Sequence, residues 1–209
     1  MVTDAHQAYA LIRERIITTQ MMPGALIQIN DLMAELGLGR TPIREALKLL
    51  EVENLVTVSP RRGMFVTDVS VTDLLQVHEL RMELEPLCAG LAVERIARSE
   101  LSTLRALVRE LTTAEAVADQ AALLQLDRRF HALVGLAAHN RILQTEADRL
   151  LSLTLRIWYL CVGRLASDDL AEEAFREILA ACETGDRPRA ERAMRRHLQH
   201  FYESVKQAL

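Results

Sequence analysis

The stretch Gly37-Leu38-Gly39-Arg40-Thr41-Pro42-Ile43-Arg44-Glu45-Ala46-Leu47-Lys48 decides how the first third of the chain reads. Its two glycines make a tight turn. Thr41 followed by Pro42 reads as the N-cap and first residue of a helix, because proline lacks an N–H that would be unpaired there anyway. Ile43, Ala46, Leu47, Leu50 and Val52 line the apolar side of this helix. Arg40, Arg44 and Lys48 recur every four residues, so they share one face. Upstream, Ala5, Tyr9, Ile12, Ile16 and Ile17 predict an amphipathic helix over residues 4–19, ended by Met22-Pro23-Gly24. Asn30 is the expected N-cap of a short helix carrying Leu32, Met33 and Leu36. Downstream, Leu55–Val58 and Met64–Thr67 are β-type runs joined by Ser59-Pro60-Arg61-Arg62-Gly63, a turn with two arginines at its tip.

Helix, short helix, glycine turn, helix and β-hairpin follow one another in the order of a winged helix-turn-helix. In that motif the third helix enters the major groove of DNA with its first residues facing the bases. A stripe formed by Arg40, Arg44 and Lys48 suits phosphates and guanine edges. Arg61 and Arg62 on the hairpin are placed to reach a backbone or a minor groove. For any one of these residues the alternative is a solvated charge, with Glu45 and Glu51 as neighbours. The constellation as a whole favours DNA.

Composition agrees with a helical protein. Only 8 of 209 residues are aromatic and 5 are proline, which disfavours a sandwich or barrel. The longest stretch without Asp, Glu, Lys or Arg is 15 residues, Ile16 to Asn30, and it contains Pro23 and Gly24. A membrane span needs roughly 18 or more apolar residues, so none is expected. Asp4 and Glu14 lie inside the first apolar stretch, unlike a signal peptide. Cys88, Cys161 and Cys182 are too far apart for a metal knuckle and odd in number, so no disulfide framework is expected. These features point to a cytoplasmic protein. The net charge of −4 resides entirely in residues 68–209. Residues 1–67 hold seven basic and seven acidic side chains, and five of the basic ones lie between Arg40 and Arg62. The acidic total therefore does not exclude a nucleic-acid partner.

The domains read as a DNA-binding unit at 1–67, a linker at 68–72 and an all-helical unit at 73–209. Helices are expected at 72–97, 99–116, 120–138, 141–164, 168–184 and 187–206, packed as an antiparallel bundle. Ser99, Ser167 and Asp186 are the expected N-caps, and Gly185 a C-terminal stop. Pro86 is a candidate kink. His139 and Asn140 are expected at a helix C-terminus, with Asn140 left-handed. Three polar residues sit on faces that should be apolar. Asp127 and His131 lie one helical turn apart, and His197 lies among Ala190, Ala193, Met194 and Phe201. A buried carboxylate is costly unless paired or metal-bound. An Asp–His pair with a second histidine can hold a divalent cation, or can form a hydrogen-bonded core network. Arg81 and Arg156 each interrupt an apolar helix. Each is a candidate to hold a carboxylate effector, or to remain a surface charge or pair with Glu83 or Glu85.

Residues 39–47 resemble the recognition-helix motif of GntR-family bacterial transcription regulators, and Pro60-Arg61-Arg62-Gly63-Met64-Phe65-Val66 resembles their wing. The resemblance implies operator contacts by Arg40, Thr41 and Arg44, joined by Arg62 and Gly63 at the wing. Gly39 stands where Ser or Thr is usual, and Asn30 where arginine is frequent, which implies weaker backbone contact or a shifted operator preference. Residues 73–209 resemble the effector domain of the FadR subfamily, the FCD domain. The matching features are the run His78 to Glu85, then Asp127, His131 and Asn140, and the end Gly185-Asp186…Ala193 to Leu198. Many such domains bind a metal through one aspartate and three histidines. By that pattern Asp127, His131 and His197 are ligands, while the remaining ligand position is Phe175. The resemblance implies zinc or nickel held weakly, or a pocket that works without metal because Phe175 fills the space. It places Asn140 and Phe175 beside the effector.

The function expected from these readings is a homodimeric regulator of double-stranded operator DNA. A small organic acid modulates it, with repression as the usual outcome. Two alternatives use the same cluster: a metalloenzyme built on Asp127, His131 and His197, or a regulator that senses the metal itself. The sequence contains no nucleophile–base constellation, no phosphate loop and no HExxH. An enzyme would also leave the first 67 residues without a purpose.

Overall fold

The computed structural model describes residues 3–116, 120–161 and 170–208. Among the described residues the chain is helical apart from one small hairpin, and it divides into two compact units. The first comprises residues up to Asp73 together with Leu155–Leu160. The second comprises Leu74–Thr154 and Cys161–Leu209.

In the first unit, α1 (Asp4–Ile17) packs on α3 (Arg40–Val52), with α2 (Ile29–Leu36) against α3. Thr3 caps α1 by accepting from the His6 amide at 3.3 Å. The helix stops at Ile17, before the expected Met22-Pro23-Gly24 terminator, and Thr19 turns left-handed at φ 56°. Gln28, not Asn30, is the N-cap of α2, and left-handed Gly37 is its C-cap. Gly39 precedes α3, which starts at Arg40, so Thr41 and Pro42 lie within its first turn rather than at its cap. The shift is small physically, because the proline nitrogen still falls among the helix's unpaired amide positions. Ile43, Ala46, Leu47 and Leu50 are fully buried, whereas Val52 is 78% exposed and does not join the apolar side.

The hairpin pairs β1 (Val56–Ser59) with β2 (Gly63–Val66), in the register Val56 to Val66 and Ser59 to Gly63. Each strand is displaced by one residue from the sequence reading. Residues before α2 add a short third edge: Ile27 N–H donates to the Met64 carbonyl at 2.8 Å and Gly24 N–H to that of Val66 at 2.9 Å. The backbone of Arg61, at the tip, is left-handed at φ 63°.

The second unit is an antiparallel bundle of α4 (Val71–Arg95), α5 (Arg98–Ala116), α6 (Gln120–Ala137), α7 (Arg141–Cys161), α8 (Leu170–Thr184) and α9 (Arg187–Ala208), with the last turns of α7 grouped in the first unit. Its core runs through Leu104, Phe130, Phe175, Ile178, Met194 and Leu198. Left-handed Gly185 ends α8, and Asp186 caps α9 by accepting from the Arg189 amide at 3.0 Å. Two expected caps are corrected. Ser99 does not cap α5; the Glu100 carboxylate reaches back to the Ala97 N–H at 2.7 Å. His139, not Asn140, takes the left-handed conformation after α6, and Asn140 instead caps α7 by accepting from the Leu143 amide at 3.2 Å. Pro86 lies inside α4 without ending it. Ser167 lies outside the described residues.

Candidate functional sites

The first site is the exposed side of α3. Arg40, Thr41, Arg44 and Lys48 are all exposed, while the opposite side of the helix is buried. Burial of Ile43, Leu47 and Leu50 therefore fixes which way the cations point. Arg40 Nη2 donates to Asn30 Oδ1 at 2.7 Å. Arg61 and Arg62 are exposed at the hairpin tip. Gly63 has φ 112°, and a Cβ there would lie 3.1 Å from Leu26 Cδ1, so a side chain would be strained and crowded. The structure thus brings the recognition-helix and wing residues of the sequence reading onto exposed positions of one small unit, and assigns Gly63 a backbone role.

The second site is buried in the bundle. Asp127 and His131 project from α6 and His197 from α9. His131 Nε2 lies 3.1 Å from His197 Nε2 and 3.6 Å from Asp127 Oδ1, and His197 Nε2 lies 3.3 Å from the same oxygen. Ligand atoms of a tetrahedral zinc with bonds of about 2.0–2.1 Å are about 3.3–3.4 Å apart. The donor set therefore fits one cation. Phe175 stacks on Phe130 at 3.6 Å and stands 5.0 Å from the His197 ring and 6.0 Å from that of His131. A hydrocarbon ring thus adjoins the three donors, where the family pattern has a fourth ligand.

Behind His131 stands a carboxylate that the sequence reading treated only as a possible partner of Arg81. Glu85 Oε2 lies 2.5 Å from His131 Nδ1. The other oxygen of Glu85 pairs with Arg81, one turn earlier on α4, and both residues are buried. Burial alone would raise Glu85, but Arg81 and His131 overcome it and hold its pKa down at about 2. Burial would lower His131, yet Glu85 and Asp127 push it up to about 9. Asp127 is depressed against its own burial by the two histidines. His197 is lowered, chiefly by burial. Without metal, the cluster balances two carboxylates against Arg81 and protonated His131. A metal held by these donors would take the place of that proton, and a carboxylate beside the far ring nitrogen would orient the histidine for it.

A cavity of about 60 Å³ adjoins the cluster, lined in part by Glu85, Cys88, His131, Gln144 and Asp148. It has room for a few waters or a very small ligand. Arg81 is committed to Glu85. Arg156 belongs to the first unit, where its Nη2 donates to the Thr67 carbonyl. Asn140 is spent as a helix cap. Of the four residues expected around the effector, Phe175 stands beside the three donors and Arg81 joins the cluster through Glu85. For Arg81 the structure realises the alternative of a pair with Glu85, and both arginines are buried rather than surface charges. Glu85 was legible as the i+4 partner of Arg81; Gln144 and Asp148 carried no signal.

A winged helix-turn-helix unit followed by a helical bundle defines a class of DNA-binding regulators, and comparison with known proteins agrees. Residues 4–66 match the model of the bacterial regulatory proteins, gntR family, and residues 76–200 match that of the FCD domain. The chain is 30% identical to an uncharacterized HTH-type transcriptional regulator in an unstable DNA locus of Streptomyces ambofaciens, covering 97% of this chain and 85% of that one. It is 24% identical to the HTH-type transcriptional repressor RspR of Escherichia coli, covering 96% and 88%. The solved structure of E. coli McbR/YncC shares the fold with a TM-score of 0.88, 23% identity and 99% coverage of both chains. The chain belongs to the GntR family of transcription regulators and carries an FCD domain at its C-terminal side. The proteins it matches are regulators rather than enzymes. Among the described residues no helix is long and apolar enough to cross a membrane.

Proposed function

We propose that this protein is a cytoplasmic, homodimeric repressor of the FadR subfamily, released from its operator by a small organic acid bound in the FCD domain. The exposed stripe of Arg40, Arg44 and Lys48 on a helix whose other side is buried carries the DNA part of this reading. Operators with two-fold symmetry call for a dimer. The repressor names of RspR and of GlaR, 27% identical over 217 residues, support the sign of regulation.

Asp127, His131 and His197 would hold zinc or nickel weakly, leaving a coordination position open. When bound, the metal supplies a Lewis-acidic site for an acid's carboxylate. Glu85 orients His131, and Phe175 limits the space. This reading puts the acid's charge at the three donors, with Arg81 beside them on Glu85; Arg156 belongs to the first unit. The acid shifts the protein off DNA only if it binds the released conformation more tightly. A second reading, in which the cation itself is the signal, draws on the fit of the three donors to one ion. Titrating a duplex selected by the protein from a randomised library, with chelator, with zinc or nickel, and with metal plus small carboxylic acids, separates the two. Release by acid and metal together supports the acid reading; release by metal alone supports the metal-sensor reading. Failure to select any sequence would sink both.

A further inference from the structure

Arg40 is the first residue of α3, and Asn30 the second of α2. The 2.7 Å bond from Arg40 Nη2 to Asn30 Oδ1 ties the recognition helix to the helix before it, across the Gly37–Gly39 turn. Both side chains are exposed, and a surface pair of this kind contributes little to folding. Its effect is geometric. An untethered arginine samples many rotamers, and a DNA contact must freeze them. The guanidinium carries five donors. The bond to Asn30 uses one hydrogen of Nη2, so one of the guanidinium's two bidentate edges stays available for a guanine edge or a phosphate. Gly39 adds no side chain that competes for the guanidinium. Asn30 is neutral, so it releases no counterion on binding.

We propose that Asn30 is a positioning residue for DNA readout: it holds the Arg40 guanidinium in its binding orientation and thereby sets base preference at the position Arg40 reads. The proposal rests on α3 being the recognition helix. It makes the loss on removing Asn30 conditional on Arg40, and independent of ionic strength.

The test is a double-mutant cycle on a duplex selected by the wild-type protein from a randomised library. Wild type, Asn30→Ala, Arg40→Ala and the double variant are titrated at several salt concentrations and against single-base-pair substitutions of that duplex. Asn30→Ala should weaken specific binding by about three- to tenfold. The loss should vanish in the Arg40→Ala background. Asn30→Ala should flatten preference at the same base pair as Arg40→Ala, with melting temperature and log–log salt slope unchanged. If Arg40→Ala binds like wild type, the recognition-helix reading itself fails, and the proposal with it. If Arg40→Ala weakens binding but the Asn30→Ala effect is absent or simply additive, the positioning role is wrong while the recognition helix stands. Equal loss on every duplex with a lowered melting temperature would make Asn30 a structural residue, which also overturns the proposal.

Discussion

The recognition helix and the bundle cluster solve opposite problems with charged residues. Arg40, Arg44 and Lys48 are exposed, so water solvates them until DNA arrives. Arg81, Glu85, Asp127, His131 and His197 are all buried, and each charge there needs a partner within the fold. The first arrangement is open to any anion and gains its selectivity on contact. The second is already interlocked, so whatever enters must outcompete existing partners. Substitution on α3 should therefore change binding and leave folding alone, whereas substitution in the cluster should couple the two.

The largest expected effect sharpens the buried side of that contrast. Phe175→His should add a fourth ligand. Structural zinc sites contribute about 10–16 kcal/mol from four ligands, so one more ligand should tighten zinc or nickel binding by about 100-fold or more. The variant should melt lower than wild type in chelator, since it loses a stacked ring, by less than the roughly 3–5 kcal/mol of an aromatic-to-alanine change. Metal should restore the loss. Metal titration followed by melting checks this; equal metal affinity in the two proteins would place residue 175 away from the donors. Next, Arg44→Ala should cost about 2 kcal/mol of specific DNA binding, roughly thirtyfold, with an unchanged melting temperature. Operator titration beside a melting curve tests it, and a parallel loss of stability would erase the contrast between the regions. Glu85→Gln should weaken metal binding by about tenfold by loosening the orientation of His131. A competition titration with a chromophoric chelator reads this, and an unchanged affinity would make Glu85 only the partner of Arg81. The smallest effect belongs to the wing. Removing Arg61 and Arg62 together should reduce the log–log salt slope by about 0.9 for each phosphate that the wing no longer neutralises, on selected and unrelated duplexes alike.

The winged unit was largely legible because its functional groups are displayed by local pattern. Apolar spacing along α3 fixes a buried side, and the four-residue recurrence of Arg40, Arg44 and Lys48 then fixes an exposed one. Misreadings there were of one or two residues, as at Thr41 and Asn30, where a capping residue type stood one turn position inside the helix. The bundle was legible only in part. The i, i+4 spacing put Asp127 with His131, and the apolar face of the last helix and the family resemblance added His197, but no pattern put Glu85 behind His131. The contact that Arg156 makes could not be read for a related reason. Its partner is a backbone carbonyl, at Thr67, 89 residues earlier, and no side-chain pattern reveals a carbonyl.

The tip of the hairpin carries a conflict between two kinds of fitness. Arg61 sits in a left-handed backbone conformation that costs an ordinary residue about 1–2 kcal/mol and that glycine adopts freely. Exchanging it for glycine would relax the turn and remove a cation in the same step. Selection for a sturdier wing and selection for a stickier one therefore pull this codon in opposite directions. Arginine there gives up conformational ease and keeps positive charge at the hairpin tip.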